Sequence, residues 1–220
     1  MASGTKGNCF LCGAELGKVA MKNHILKAHV EADGQECVLL KIEGAYDKDY
    51  WLIVDIPVGS TLTTLDSFLR KIWLECCGHM SAFSGPHYME IGKGRKLGSF
   101  SVGDKLLHEY DFGSTTETLI TVIGRTIRPP QKQAVRLLAR NVPPVFQCER
   151  CGKKAAYICT ECMYEMDNPF YCESCAEKHG HDGMLLPVTN SPRMGVCAYC
   201  GEQDTYIFVS PESVIGKASK

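Results

Sequence analysis

Two apolar stretches, residues 37–43 (CVLLKIE) and 50–56 (YWLIVDI), alternate in the manner of strands, and the turn-rich GAYDKD between them predicts a hairpin. Leu65, Phe68, Leu69, Ile72, Trp73 and Cys76 then fall at i, i+3, i+4, i+7, i+8 and i+11. That is one apolar face of a helix, and Gly78 is placed to end it. Further strands are expected at 87–91, 105–110 and 116–124. The order β-β-α-β-β-β predicts an α+β domain, a central mostly antiparallel sheet with one long helix. Beyond it, TIRPPQKQAVRLLARNVPPV has a short helical pattern between two Pro-Pro steps, which favour extended backbone, so it reads as a connector with one helix.

The most apolar run, YWLIVDIPV, is short and interrupted by Asp55, so no spanning helix is expected there. The start, MASGTKGNCF, lacks the apolar region of a secretory signal, and the expected location is the cytoplasm, with no membrane association. A hydrophobic fraction of 45% is ordinary for a globular chain of 220 residues, and the formal charge of -1 supplies no global attraction to nucleic acid.

Thirteen cysteines change the picture, because disulfides rarely persist in the cytoplasm. Ten of them form five C-x2-C pairs, at 9/12, 148/151, 159/162, 172/175 and 197/200. Two thiolates at that spacing share one tight turn and reach a single zinc ion at about 2.3 Å. Cys37, Cys76 and Cys77 lie outside the pairs, in a segment that reads as ordinary core. Cys76 and Cys77 close the helix beside His79 and read as buried thiols next to a capping-region histidine, the alternative being a metal or catalytic cluster.

Cys9-x2-Cys12-x11-His24-x4-His29 has the spacing of a two-Cys, two-His zinc finger, with the histidines on adjacent turns of a helix and Leu16 and Met21 as its small apolar core. The positions that face bases in DNA-reading fingers hold Gly17, Ala20 and Asn23, and the first two cannot make bidentate base contacts.

Further on, Cys148-x2-Cys151-x7-Cys159-x2-Cys162-x9-Cys172-x2-Cys175-x3-His179-x-His181 supplies eight ligands, enough for two tetrahedral zinc ions. The spacing resembles B-box and related cross-brace domains, in which alternate pairs share an ion. That resemblance implies one site of Cys148, Cys151, Cys172 and Cys175 and a second of Cys159, Cys162, His179 and His181. An alternative ribbon joins Cys148 and Cys151 to Cys197 and Cys200 and leaves Cys159, Cys162, Cys172 and Cys175 as the other site. About three zinc ions are expected in all, each structural.

Three segments of the middle region, TLDSFLRKIWLECCGHMSAF, HYMEIG and VGDKLLHEYDFGSTTET, resemble the plasmid pRiA open-reading-frame-three-like (TnpR-like) family over roughly residues 36–125. Some relatives also carry an N-terminal finger and a Cys-rich tail ending near NSPRMGVC. The resemblance implies a compact α+β fold and an association with mobile elements, and no established activity. Some relatives place Asp, Trp and His after the YDFG turn, where this chain has Ser114, Thr115, Thr116 and Glu117. A serine-recombinase constellation is absent around every serine. Asp111-Phe112-Gly113 reads as a turn, and the basic GKGRK run at 92–96 as a solvated loop.

The resulting plan is a finger at 1–32, the α+β domain at 36–126, a basic connector at 127–146, a Cys/His-rich zinc module at 147–205 and a tail at 206–220. The expected role is a zinc-stabilised adaptor contacting protein, nucleic acid or both, with no small-molecule substrate. A nucleic-acid reading uses Arg125, Arg128, Lys132, Arg136 and Arg140 as phosphate contacts, the last three displayed together by the connector helix. An enzymatic reading centres on His79, His87, Asp104 or Asp111.

Overall fold

The expected hairpin is the centre of the fold. In the computed structural model, which describes residues 5–181 and 183–202, β3 (Gln35–Gly44) and β4 (Trp51–Pro57) pair antiparallel, with Ile42 opposite Leu52 and Val38 opposite Ile56. Both strands are buried along nearly their whole length, so their sequence reads as an almost continuous apolar run. Beside β3 lie β8 (Thr116–Arg128) and β7 (Lys105–Tyr110), followed by β5 (Ser81–Ser84) and β6 (Glu90–Ile91). Beside β4 lie β9 (Arg136–Asn141), β1 (Lys6–Cys9) and β2 (Glu15–Gly17). The order is β2-β1-β9-β4-β3-β8-β7-β5-β6, nine strands paired antiparallel throughout.

Three local expectations change. The connector segment expected to be helical is strand β9, which pairs with both β4 and β1. The local pattern QAVRLLAR favours a helix, but the edge of β4 offers a ladder of backbone partners, and tertiary pairing overrides weak propensity. The expected strand at 87–91 opens as a 3-10 turn, Pro86–Tyr88, with His87 and Tyr88 both at φ 57, leaving only β6 extended. The long helix is divided. α2 (Leu62–Leu69) spans eight residues and is succeeded by a π-helical turn, Arg70–Leu74, closed by the Glu75 amide donating to the Arg70 carbonyl at 2.8 Å. Cys76, which the periodicity placed on the apolar stripe, is half-buried.

The GKGRK loop is structural rather than merely solvated. Carbonyls of Arg95 and Lys93 accept the Leu62 and Thr63 amides, two of the donors that the first turn of α2 leaves without helical partners.

The described residues form two compact units. The first comprises the residues up to Leu69 together with Met80–Val142. The finger is built into it: α1 (Lys18–Ala28) buries Met21 and Ile25 with Leu39, Trp51, Ile53, Ile123 and Leu138. Gly7 permits the approach, because a Cβ there would stand 2.3 Å from the Arg140 carbonyl and 2.5 Å from the Trp51 ring.

The second unit comprises Arg70–His79 and the described chain from Pro143 onward. It holds a small sheet of β10 (Tyr157–Cys159) between β11 (Phe170–Tyr171) and β12 (Leu185–Pro187), and a one-turn helix, α3 (Glu173–Ala176). One apolar cluster in it comprises Cys159, Cys162, Tyr171 and Ala176, flanked by Tyr157, Cys175 and Leu185, and Ile72, Trp73, Leu74 and Tyr199 of this unit are buried as well. The tail expected at 206–220 lies outside the described residues.

Candidate metal centres

A tetrahedral zinc ion with bonds of about 2.3 Å to sulfur and 2.0–2.1 Å to nitrogen sets its ligands about 3.8 Å apart for two sulfurs, 3.5 Å for sulfur and nitrogen and 3.4 Å for two nitrogens. Among the described residues, four Cys/His groups approach those separations, and all thirteen cysteines are free of disulfides.

The first group is in the finger. The β1–β2 turn closes through the Gly13 amide on the Cys9 carbonyl at 2.8 Å, with Gly13 at φ 80, and sets Cys9 and Cys12 side by side. α1 supplies His24, and His29 stands at its C-cap. Cys9 Sγ lies 3.4 Å from His29 Nε2, Cys12 Sγ 3.2 Å from His24 Nε2, and the two Nε2 atoms are 3.1 Å apart. Burial lowers the pKa of His29, as do His24 and Arg136, so the neutral imidazole that a metal requires is favoured.

The second unit repeats the device. The Gly152 amide donates to the Cys148 carbonyl at 2.9 Å, with Gly152 at φ 68, the same knuckle as in the finger. Cys148 and Cys151 meet Cys172 and Cys175 from the start of α3, with Cys151 Sγ 3.6 Å from Cys172 and 3.7 Å from Cys175. The Ser174 hydroxyl holds the Cys172 thiol down to about 6, while Cys172 pushes Cys175 up to about 12. A bound dication favours the thiolate at every such position.

The third group joins Cys159 and Cys162 to His179 and His181. Cys162 Sγ lies 3.2 Å from His179 Nε2 and 3.5 Å from His181 Nδ1, and Cys159 Sγ 3.5 Å from the same Nδ1. Alternate pairs therefore lie together, and Cys197 and Cys200 stand with neither group.

Cys197 belongs to the fourth group, with Cys76, Cys77 and His79. The reading of Cys76 and Cys77 as buried core thiols is corrected: Cys76 is half-buried and Cys77 exposed. Cys200 is exposed, its Sγ 3.4 Å from the Ala198 carbonyl, outside the group.

The basic residues expected to line one surface are dispersed. Arg128 and Arg140 are buried, Arg125 and Arg136 half-buried, and only Lys132 is exposed. Arg128 and Arg136 both pair with the fully buried Asp55, at 3.2 and 2.6 Å. Arg125 donates to the Phe100 carbonyl at 2.6 Å. Their charge is used inside the fold, and the strand conformation of β9 removes the helical row of Lys132, Arg136 and Arg140.

Among the enzymatic candidates, His87 is exposed in its 3-10 turn, and Asp104 is exposed and accepts the Ser101 amide at 2.8 Å. Asp111, at φ 65, accepts the Gly113 amide at 3.1 Å, as its turn role requires. The sequence reading missed a buried polar cluster in which Asp66 accepts from His108 at 2.9 Å, Ser81 at 2.7 Å and Lys93 at 3.1 Å. Burial raises the Asp66 pKa, but these hydrogen bonds outweigh it and hold the carboxyl well below its ordinary value. These residues come from four separate segments, so no spacing announces them. A cleft of about 220 Å³ in the first unit is lined by Ile25, Leu26, His29, Glu31, Glu36 and Arg125, among others.

No protein-family model and no curated protein sequence matches the chain. Among solved structures it is similar to the "Protein of Unknown Function MM3350" from Methanosarcina mazei Go1, at 17% identity and a TM-score of 0.43, over 55% of this chain and 76% of that one. Among the described residues, no helix is long and apolar enough to cross a membrane.

Proposed function

We propose that the chain is a zinc-stabilised interaction protein without catalytic activity, its finger and its Cys/His-rich module each held by structural zinc. The observation that carries this reading is that Cys9/Cys12/His24/His29, Cys148/Cys151/Cys172/Cys175 and Cys159/Cys162/His179/His181 each offer four ligand atoms within 4.8 Å of one another. Four protein ligands close a tetrahedral ion, whereas catalytic zinc keeps three and a water. Softness supports zinc over a harder ion, since every ligand is thiol or imidazole.

A protein partner fits better than nucleic acid. The arginines nearest a basic stripe are engaged internally, and the formal charge is -1. Around the Cys159/Cys162 knuckle, by contrast, Met163, Tyr164, Met166 and Met184 are exposed, Tyr164 at 91%. Flexible thioethers beside an amphipathic ring make an adaptable protein-contact surface.

A photo-crosslinking residue at position 164 of the full chain, activated in the source cells, tests this. The expected outcome is a discrete protein adduct that is lost on adding Met166→Glu. Crosslinking to nucleic acid instead, or no adduct that depends on Met166, would contradict the reading.

A further inference from the structure

We propose that Cys76, Cys77, His79 and Cys197 form a fourth zinc site, which goes beyond the three sites of the finger and the Cys/His-rich module and does not depend on them. The ligand atoms of all four lie within 4.8 Å of one another. Cys197 Sγ is 3.6 Å from Cys77 Sγ and 3.5 Å from His79 Nε2, again the edges of a tetrahedron around zinc. Cys77 and Cys197 are separated by 120 residues in sequence, so the fold, not a local turn, brings them together.

The backbone on both sides is fixed around this meeting. On one side, the Arg70 guanidinium donates to the His79 carbonyl at 2.6 Å, and the Glu75 carboxylate accepts the Gly78 amide at 2.6 Å. On the other, the buried Ser191 hydroxyl donates to the Trp73 carbonyl at 2.6 Å, and the Tyr199 hydroxyl to the Ile72 carbonyl at 3.4 Å. Between those two anchors Cys197 takes φ 54, a left-handed conformation uncommon for a residue with a Cβ. Gly195, at φ 78, lies so close to Met163 that a Cβ would stand 2.6 Å from its sulfur.

Charge balance supports the same assignment. Three thiolates around a dication leave one negative charge in excess. Arg193, fully buried, donates from its guanidinium to Cys76 Sγ at 3.3 Å and supplies the opposite charge. Outer groups of this kind orient and tune ligands in metal sites. The site is a Cys3His zinc clasp that ties Cys76–His79 to Cys197 within the second unit.

Elemental analysis of the full chain, purified without chelator, tests the assignment. Four zinc ions per chain are expected in the parent and three after Cys197→Ser, with the finger and both sites of the Cys/His-rich module retained. Because a serine variant can also misfold, alkylation of the parent protein gives an independent readout. Cys77 and Cys197 are exposed yet should resist alkylation until chelator is added, while Cys200, exposed and outside the group, should react throughout. Three ions in the parent, unchanged by Cys197→Ser, would overturn the fourth site and leave the other three standing. So would prompt alkylation of Cys77 and Cys197 in zinc-replete protein, or a Cys77–Cys197 disulfide in it. Zinc loss on Cys200→Ser but not on Cys76→Ser would overturn the ligand set. A parent protein without any zinc would contradict the proposed function as well.

Discussion

Removal of metal by a strong chelator is expected to unfold the second unit while the nine-stranded sheet of the first survives. Three of the seven residues in the second unit's small-sheet cluster are candidate ligands, Cys159 and Cys162 among its four buried members and Cys175 partly buried. Without an ion those thiols supply little hydrophobic energy. Structural zinc contributes about 10–16 kcal/mol in small zinc peptides, as much as the whole stability of an ordinary domain. The first unit differs, because Met21 and Ile25 of its finger are buried with Leu39, Trp51 and Ile53 in a core that includes only one candidate ligand, Cys9. Hydrogen exchange read by mass spectrometry should show the amides of β10 and β12 exchanging freely after chelation. Those of β3, β4 and β8 should remain protected, with α1 loosened but not detached. Equal loss of protection in both units, or none in either, would contradict this.

Asp55→Ala should cost about 3–5 kcal/mol, because it leaves charged arginines without their buried partner. Asp55 and Arg128 are fully buried, and Arg136 is half-buried, its side chain 12% exposed. Arg128 Nε also meets Cys37 Sγ at 3.3 Å, and its Nη2 donates to the Ala134 carbonyl at 2.7 Å. Arg136 has a second, partly exposed acceptor in Glu31 at 3.4 Å. Urea denaturation of Asp55→Ala reads the loss as a lower midpoint. Adding Arg128→Met should recover part of it by removing the stranded charge, and a double-mutant cycle isolates the coupling. A stability change below about 1 kcal/mol for Asp55→Ala would show that the triad is not what fixes β9 to β4.

The sequence displayed what is local. Cys pairs at C-x2-C spacing, and histidines one helical turn apart, are visible because a metal knuckle is a short-range structure. The β3–β4 hairpin is visible because its turn and its apolar strands adjoin. Long-range partnerships leave no such mark. Asp55 reads as a polar interruption of an apolar run, and Arg136 as part of a helical basic row. Only the pairing of β4 with β9 shows that they neutralise each other. Cys76, Cys77 and His79 carried a local signal, a Cys-Cys-x-His cluster at a helix end, but Cys197 stands 120 residues beyond Cys77 in the chain. The π turn after α2 is equally hidden, since an apolar stripe at helical spacing does not distinguish one helical geometry from another.

The proposed function rests on zinc held by the Cys/His groups in closed, oxygen-free coordination. X-ray absorption at the zinc edge of the full chain, purified without added metal or chelator, reads that coordination. Eight thiolates and four imidazoles shared by three ions give a mean of nearly three sulfurs per ion, and a fourth Cys3His site barely changes that mean. The expected spectrum has a dominant shell at about 2.3 Å from sulfur, a lesser one at about 2.0–2.1 Å from imidazole nitrogen, and four ligands in all. A first shell dominated by oxygen, or protein that carries no zinc, would contradict it.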